Sequence, residues 1–402
     1  MSSPRSAAAV GQAALTIDRV QVLVVSLPER RKHPTATGSK RLGEYVIVKV
    51  HAGGLVGLGE ATVLKEWGGD HGRYFGEHPG LTVKLIAELF APAIMGEDAF
   101  AVEHILDKLD RVAKGYPYAK SSLDMALHDL IGKALGVPVY QLLGGLYRRR
   151  VRLAHSLGIL EKRALLDEVE KAVEEGVRTI KLKVGLDPER DVDTVASVRH
   201  LVGDSIDITV DANQGWPNPK TAIQTIKRME PHRILFAEQP VEGIWEMSRV
   251  AGAVDTRIMA DESAWTPEDV LEIARLNAAE VISIYTTKPG GLLRARKVAA
   301  VAEAAGFSCN VNGSLETGVG NAANLHLAAA LKPISEACVI PVTAPAEALV
   351  TKIVGRFYLD DIVTEPFQYE AGELIVSDKP GLGIELDDAK VAKYQQELMD
   401  VR

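Results

Sequence analysis

The chain has 402 residues, 47% hydrophobic and 25% charged, an ordinary composition for a globular protein and more length than one small domain needs. Its formal net charge of −8 provides no basic field for nucleic acid, and no apolar run approaches the roughly 18–20 residues that would span a bilayer. The two cysteines, Cys309 and Cys338, stand in neither metal-type nor redox-type spacing, so they read as packing residues and a cytoplasmic location fits.

Residues 1–14 are rich in Ala and Ser and lack the longer apolar core of an export signal, so a disordered leader is expected. Residues 16–25 and 45–50 are rich in β-branched side chains, and Gly53-Gly54 marks a hairpin between Val50 and Val56. Apolar residues at three and four spacing predict helices over 81–94, 102–112 and 121–135, the last stopped by Gly136 and Pro138. Strands followed by helices indicate an α+β unit over 15–147. The basic run Tyr147-Arg148-Arg149-Arg150 reads as a solvated linker.

From Val151 onward, short apolar runs alternate with amphipathic helices. The runs are 151–157, 179–184, 206–211, 234–238, 258–261, 281–284 and 307–311, with an eighth expected near 337–340. About eight strands in units of roughly 25 residues predict a closed β/α barrel over 148–349. A doubly wound open sheet is the competing topology, and the lack of a Gly-x-Gly-x-x-Gly after the first strand counts against it. The segment 350–402 is again mixed and is expected to fold back on the first domain.

Active sites on such barrels sit at the C-terminal ends of the strands. Three successive runs close with a carboxylate, Asp211, Glu238 and Asp261, at spacings of 27 and 23 residues, close to one β/α unit each. Three acidic side chains on one rim repel unless a cation joins them, and hard oxygen ligands suit Mg²⁺, with Mn²⁺ also acceptable. The bland alternative is that each acid caps the next helix. In Thr179-Ile180-Lys181-Leu182-Lys183, strand alternation places Lys181 and Lys183 on one face, pointing into the barrel. Two buried ammonium groups are expensive unless their pKa values fall or anions surround them. Lys288, in Lys288-Pro289-Gly290-Gly291, is expected across the barrel from Lys183 as the other half of an acid/base pair.

Taken together, Lys181-Leu182-Lys183, Asp211-Ala212-Asn213, Glu238-Gln239-Pro240, Ala260-Asp261-Glu262 and Lys288-Pro289-Gly290-Gly291 resemble the enolase superfamily, and within it the muconate lactonizing enzyme subgroup. The stretch Ala119 to Asp129 looks like the helix that closes the family's capping domain. The resemblance implies an α/β fold in which an N-terminal α+β capping domain (15–147, completed by 350–402) covers a (β/α)7β TIM-like barrel (148–349). It implies Mg²⁺ on Asp211, Glu238 and Asp261. It also implies removal of the proton next to a substrate carboxylate through an enediolate, a strategy that general accounts of this superfamily describe.

By the same likeness Lys183 is the main acid/base catalyst. Lys288 is its opposite-face counterpart or an electrostatic partner. Lys181 would lower the pKa of Lys183 and contact the substrate carboxylate. Asn213 and Glu262 would support from behind. Glu316, in Gly313-Ser314-Leu315-Glu316-Thr317-Gly318, falls in a stretch shared by cycloisomerases and amino-acid racemases. The capping domain would set specificity through the loop at 30–41, with His33, and through Trp67-Gly68-Gly69-Asp70-His71. Where family members often carry Asn and Lys before the second lysine, this chain has Ser283 and Tyr285. On the last strand the chain reads Ser335-Glu336-Ala337-Cys338 in place of a Gly-Thr-Glu-Leu-like segment.

The leading expectation is a muconate-type cycloisomerase. Racemisation or epimerisation of an amino-acid derivative and dehydration of a β-hydroxy acid are the alternatives, and a non-catalytic barrel is the reading from another class. The expected partners are a small carboxylate substrate and, by family likeness, further copies of the chain, with no nucleic acid and no membrane.

Overall fold

The computed structural model describes residues 15–36, 38–40 (backbone only), 44–64, 67–70 and 73–402, so the expected leader, parts of the two capping loops and His71 lie outside the described residues. Among the described residues no helix is long and apolar enough to cross a membrane.

The N-terminal unit is built on an antiparallel sheet of β1 (Ile17–Ser26), β2 (Glu44–Ala52) and β3 (Leu55–Ala61), joined at the outer edge of β1 by the C-terminal strand Gln395–Val401. Alternation along these strands divides their apolar side chains between two cores. Val20, Val22, Val24, Val46 and Val48 pack with the helices α1 (Val102–Val112) and α2 (Pro117–Leu135). Leu23, Val25, Tyr45 and Ile47 join the larger core that fills the rest of the molecule. Gly57 and Gly59 let β3 lie directly on α2, because a Cβ at either would strike the backbone carbonyl of Ala126 or Ser122.

The second unit alternates strand and helix: β4 (Ala154–Leu157), α3 (Lys162–Glu174), β5 (Thr179–Lys183), α4 (Pro188–Val202), β6 (Asp207–Asp211), α5 (Pro219–Met229), β7 (Ile234–Glu238), α6 (Ile244–Ala251), β8 (Arg257–Ala260), α7 (Pro267–Leu276), β9 (Val281–Ile284), α8 (Leu292–Ala304), β10 (Ser308–Val311) and α9 (Gly318–Ala330). The seven strands form one parallel sheet in sequence order. The segment 334–340 forms no regular strand, yet it bonds to both sheet edges. Val339 donates to Val311 O at 3.0 Å, and Ala154 of β4 donates to Cys338 O at 2.8 Å. The sheet is therefore curled, with its two edges tied through one extended segment. Both cysteines are buried and free, as expected.

Carboxylates from distant stretches of the chain cap the starts of helices. Glu77 accepts from Tyr118 N at the start of α2, Asp124 of α2 accepts from Leu292 N at the start of α8, and Glu60 accepts from Thr317 N and Gly320 N at the start of α9. Asp361, in the returning C-terminal segment, also accepts from Gly318 N on α9. The anticipated linker arginines have partners as well. Arg148 donates to Leu331 O and Lys332 O, carbonyls just beyond α9, while Arg149 and Arg150 pair with Asp378 and Glu370.

Burial, with Glu60 nearby, pushes the Asp361 carboxyl up from 3.8 to about 7. The folded chain thus holds this proton more tightly than the unfolded chain. Its stabilising contribution is complete below about pH 4 and is lost as pH rises to about 7. Asp361→Asn cannot titrate, so the stability difference between wild type and variant should shrink across that window. Denaturant unfolding at both ends of the window measures it, and a difference that stays constant would contradict the assignment.

Candidate active site

The register of the sheet assembles the site. Lys183 on β5 pairs with Asp211 on β6, Asp211 pairs with Glu238 on β7, and Glu238 pairs with Met259 on β8, two residues before Asp261. The three carboxylates close adjacent strands at one rim, all buried. Leu182 turns outward into the apolar layer, so Lys181 and Lys183 turn inward.

Lysines and carboxylates interleave. Lys181 Nζ lies 2.9 Å from Asp211 Oδ2 and 2.7 Å from Glu238 Oε2, and it donates to Glu238 Oε1 at 2.8 Å. Lys183 Nζ donates to Asp211 Oδ2 at 2.5 Å and to Asn213 Oδ1 at 2.7 Å. Asn213 passes the chain on, donating from Nδ2 to Glu262 Oε1 at 2.9 Å. Burial alone would lower the pKa of Lys181, but Asp211, Glu238 and Asp261 outweigh it and hold that ammonium above the ordinary lysine range. Of the two ways to relieve a buried amine, surrounding anions are the one used at Lys181. Burial likewise opposes the charge on Asp211, and Lys181 and Lys183 overcome it, holding Asp211 below its ordinary range. Glu238 is pushed up by burial and by Asp211, and Glu262 is pushed up to about 8 by burial and the charge of Asp261.

Four buried carboxylates, Asp211, Glu238, Asp261 and Glu262, thus face three ammonium groups, those of Lys181, Lys183 and Lys288, and Glu262 Oε2 has no hydrogen-bond partner. Glu238 and Glu262 are held up by burial and by their acidic neighbours, a strain that a divalent cation would relieve, and the donors are hard oxygens, which suits an ion of the Mg²⁺ type. As the side chains stand, no group of three His, Cys, Asp or Glu converges closely enough to hold an ion among the described residues. Ammonium groups stand between the carboxylates instead.

Lys181, Lys183, Asn213, His33 and Trp67 line one narrow cavity of about 40 Å³, together with Tyr285, Asn312 and Leu315. Larger surface grooves, of about 900 and 750 Å³, contain none of these lysines or carboxylates. Lys288 does not line the cavity, contrary to its expected place opposite Lys183. It is 2% exposed, and its three N–H groups go to Asp261 O, Asp261 Oδ1 and Ser283 O, each at 2.8 Å. Four residues past the end of β9, the backbone has already turned away, and Lys288 packs behind the wall. Glu316 also stays behind the wall. It accepts from Ser314 N at 2.9 Å, and burial beside Glu60 pushes it up to about 7. Glu336 binds Arg257 and Ser308 Oγ, both at 2.8 Å, at the first residues of β8 and β10, so it sits at the opposite end of the strands.

Several members of the site have no role in it assigned from the sequence. Tyr285 directly follows β9, lines the cavity and donates its hydroxyl to Asp261 Oδ2 at 3.2 Å. Asn312 directly follows β10 and donates to Glu238 Oε1 at 3.2 Å. The rule that found Asp211 and Glu238, reading the residue that closes each apolar run, also marks these two. Gln239 had no such signal. Its Oε1 accepts from Asp261 N at 2.9 Å, which holds neighbouring strand ends together. Asn213 and Gln239 both have positive φ, +43° and +37°, a left-handed backbone that turns the chain sharply behind each carboxylate. Leu315, at φ +66°, is fixed in a similar way. Its carbonyl accepts from Tyr45 OH at 2.5 Å and from Tyr358 OH at 2.6 Å, one from the capping sheet and one from the C-terminal segment.

Comparison with known proteins agrees with this architecture. The family model described as mandelate racemase / muconate lactonizing enzyme, N-terminal domain, matches residues 19–144, and the one described as enolase C-terminal domain-like matches residues 164–390. Muconate cycloisomerase 1 from Rhodococcus opacus is 32% identical over 93% of this chain and 96% of its own length. The crystal structure of N-succinyl Arg/Lys racemase from Bacillus cereus superposes with a TM-score of 0.86 at 29% identity, covering 96% of this chain and 100% of that one. The dipeptide epimerase from Enterococcus faecalis V583, complexed with Mg and the dipeptide L-Leu-L-Tyr, superposes with a TM-score of 0.82 at 32% identity, covering 92% of this chain and 100% of that one. The chain belongs to the mandelate racemase / muconate lactonizing enzyme family of the enolase superfamily. It is accordingly an enzyme of that superfamily, whose relatives here are isomerases: cycloisomerases, racemases and epimerases.

Proposed function

We propose that this enzyme transfers a proton at the carbon next to a substrate carboxylate, with Lys183 as the acid/base, and that it closes a muconate-type dicarboxylate to its lactone. The observation that carries this reading is that Lys181 and Lys183 line one narrow cavity and pair directly with a carboxylate of the rim, Asp211. The amines on that cavity come from one strand, β5, which favours one-sided proton delivery over the two-sided exchange of a racemase. Racemisation or epimerisation remains the second reading, because relatives with those activities are as similar as the cycloisomerases.

In the lactonising direction the Lys183 ammonium, already aimed into the cavity, gives its proton to the carbon next to the carboxylate. In the reverse direction the amine takes it back. Lys181 lies one pleat deeper on the same cavity, where it would meet the substrate carboxylate. Asn213 and Asp211 orient Lys183 by accepting its other N–H groups. A divalent cation held by Asp211, Glu238 and Asp261 would supply Lewis-acid stabilisation of the charge that develops on that carboxylate. His33 and Trp67, from the capping unit, would close the cavity over the substrate.

We read the parallel sheet as a (β/α)7β barrel, its last stave being 334–340. We read 15–147 and 350–402 as one capping domain, since Gln395–Val401 pairs with β1.

Incubation with cis,cis-muconate and Mg²⁺ should remove the ultraviolet absorbance of the diene. A chelator should stop the reaction and Mg²⁺ should restore it. Washout with inversion at the α-carbon of L-Leu-L-Tyr or N-succinyl-L-lysine in D₂O, with muconate untouched, would replace this reading by the racemase or epimerase one.

A further inference from the structure

We propose that Tyr285 is the specificity-determining residue that confines proton transfer to one face of the substrate, by filling the cavity wall opposite Lys183 and shutting Lys288 out behind it. This inference rests on the proton-transfer reading above and deepens it.

Strand order places the two residues. Three strands, β6, β7 and β8, separate β5 from β9. Counting the other way round, β10, the 334–340 segment and β4 separate them. Lys183 at the end of β5 and Tyr285 just after β9 therefore stand across the cavity from each other, and both line it. Lys288 does not, although its Nζ lies 4.4 Å from the centroid of the Tyr285 ring. The ring is thus the partition between that ammonium and the substrate space.

The partition is held on every side. Trp67 stacks on Tyr285 with centroids 5.4 Å apart at 27°. Trp67 stacks in turn with Trp265 at 5.4 Å, and Trp265 with Tyr74 at 4.6 Å. The Tyr285 hydroxyl is tied to Asp261, and the three N–H groups of Lys288 are all engaged. Exposing Lys288 would require breaking this stack, the phenol hydrogen bond and three charge-assisted bonds together.

Inversion at a carbon needs a proton taken from one face and another given to the opposite face. With a phenol ring at the opposite wall, the proton that leaves to Lys183 and the proton that returns from it use the same face. Muconolactone is a suitable probe, because the carbon next to its free carboxylate carries two hydrogens. In D₂O the wild-type enzyme should replace one of them, a gain of one deuteron per molecule however long the incubation. Tyr285→Phe keeps the ring and should still give one. Tyr285→Lys places an amine on the far wall and should give two.

Two deuterons from wild type or from Tyr285→Phe would overturn the role of Tyr285 while leaving proton transfer standing. A folded Tyr285→Lys enzyme that still gives one deuteron would also overturn it. If Tyr285→Lys does not fold, wild type and Tyr285→Phe decide the matter. Exchange of neither hydrogen by wild type would instead sink the proposed function, and this inference with it.

Discussion

Lys183→Ala is expected to lower α-proton exchange by about 10²–10⁴-fold, the range that a positioned acid/base contributes. The fold should survive. Asp211 keeps Lys181 at 2.9 Å after the change, so that buried carboxylate is not left without a cation. Lys183→Arg separates charge from proton transfer. The guanidinium replaces the counter-charge beside Asp211, but its proton is held too tightly to be passed on near neutral pH. Exchange should therefore stay low in Lys183→Arg while thermal stability returns to that of wild type. Isotope incorporation followed by mass spectrometry, beside a thermal melt, reads both quantities. Exchange at the normal rate in Lys183→Ala would transfer the catalytic role elsewhere, with Lys181 the first place to look.

The second large effect concerns Asp211, whose single oxygen Oδ2 meets both Lys181 and Lys183. Asp211→Asn removes the anion that stabilises two buried ammonium groups at once. Breaking a buried pair from one side costs about 3–5 kcal/mol, because the charge left behind is not solvated. Activity should fall below detection, since the same change removes one of the three proposed cation ligands and the group that orients Lys183.

A double variant separates the two consequences. In Asp211→Asn with Lys183→Met, one stranded ammonium has gone, so part of the lost stability should return while activity stays absent. Calorimetric titration with Mg²⁺ should show weakened binding in both variants. If Asp211→Asn melts as wild type does and binds Mg²⁺ as well, neither the ion-pair account nor the ligand assignment holds.

Much of this site could be read from the chain because its parts obey local periodicities. The inward face of Lys181 and Lys183 follows from two-residue alternation around Leu182. The shared rim of Asp211, Glu238 and Asp261 follows from each one closing, or directly following, a strand of the same repeating unit. The order of the seven parallel strands follows from the alternation of short apolar runs with amphipathic helices. These are properties of neighbours in sequence, and physical chemistry acts on them before any distant contact forms.

What only the tertiary structure decided lies where the chain leaves that periodicity. Lys288 and Tyr285 are three positions apart in an irregular turn; the strand end marks Tyr285, but nothing local states that Lys288 is turned out of the cavity. The stack of Trp67, Trp265 and Tyr74, drawn from two distant stretches, holds the tyrosine in the wall and leaves the lysine bonded behind it. Glu316 and Glu336 carry the same carboxylate, yet one lies behind the wall beside Glu60 and the other beneath the strands on Arg257. Charge state was decided in the same way. A pair of inward lysines is compatible with lowered or with raised pKa values, and the carboxylates gathered from three further strands settle Lys181 as an ammonium. Alternation sets the direction of a side chain within its own strand, whereas its electrostatic surroundings come from residues that only folding brings near.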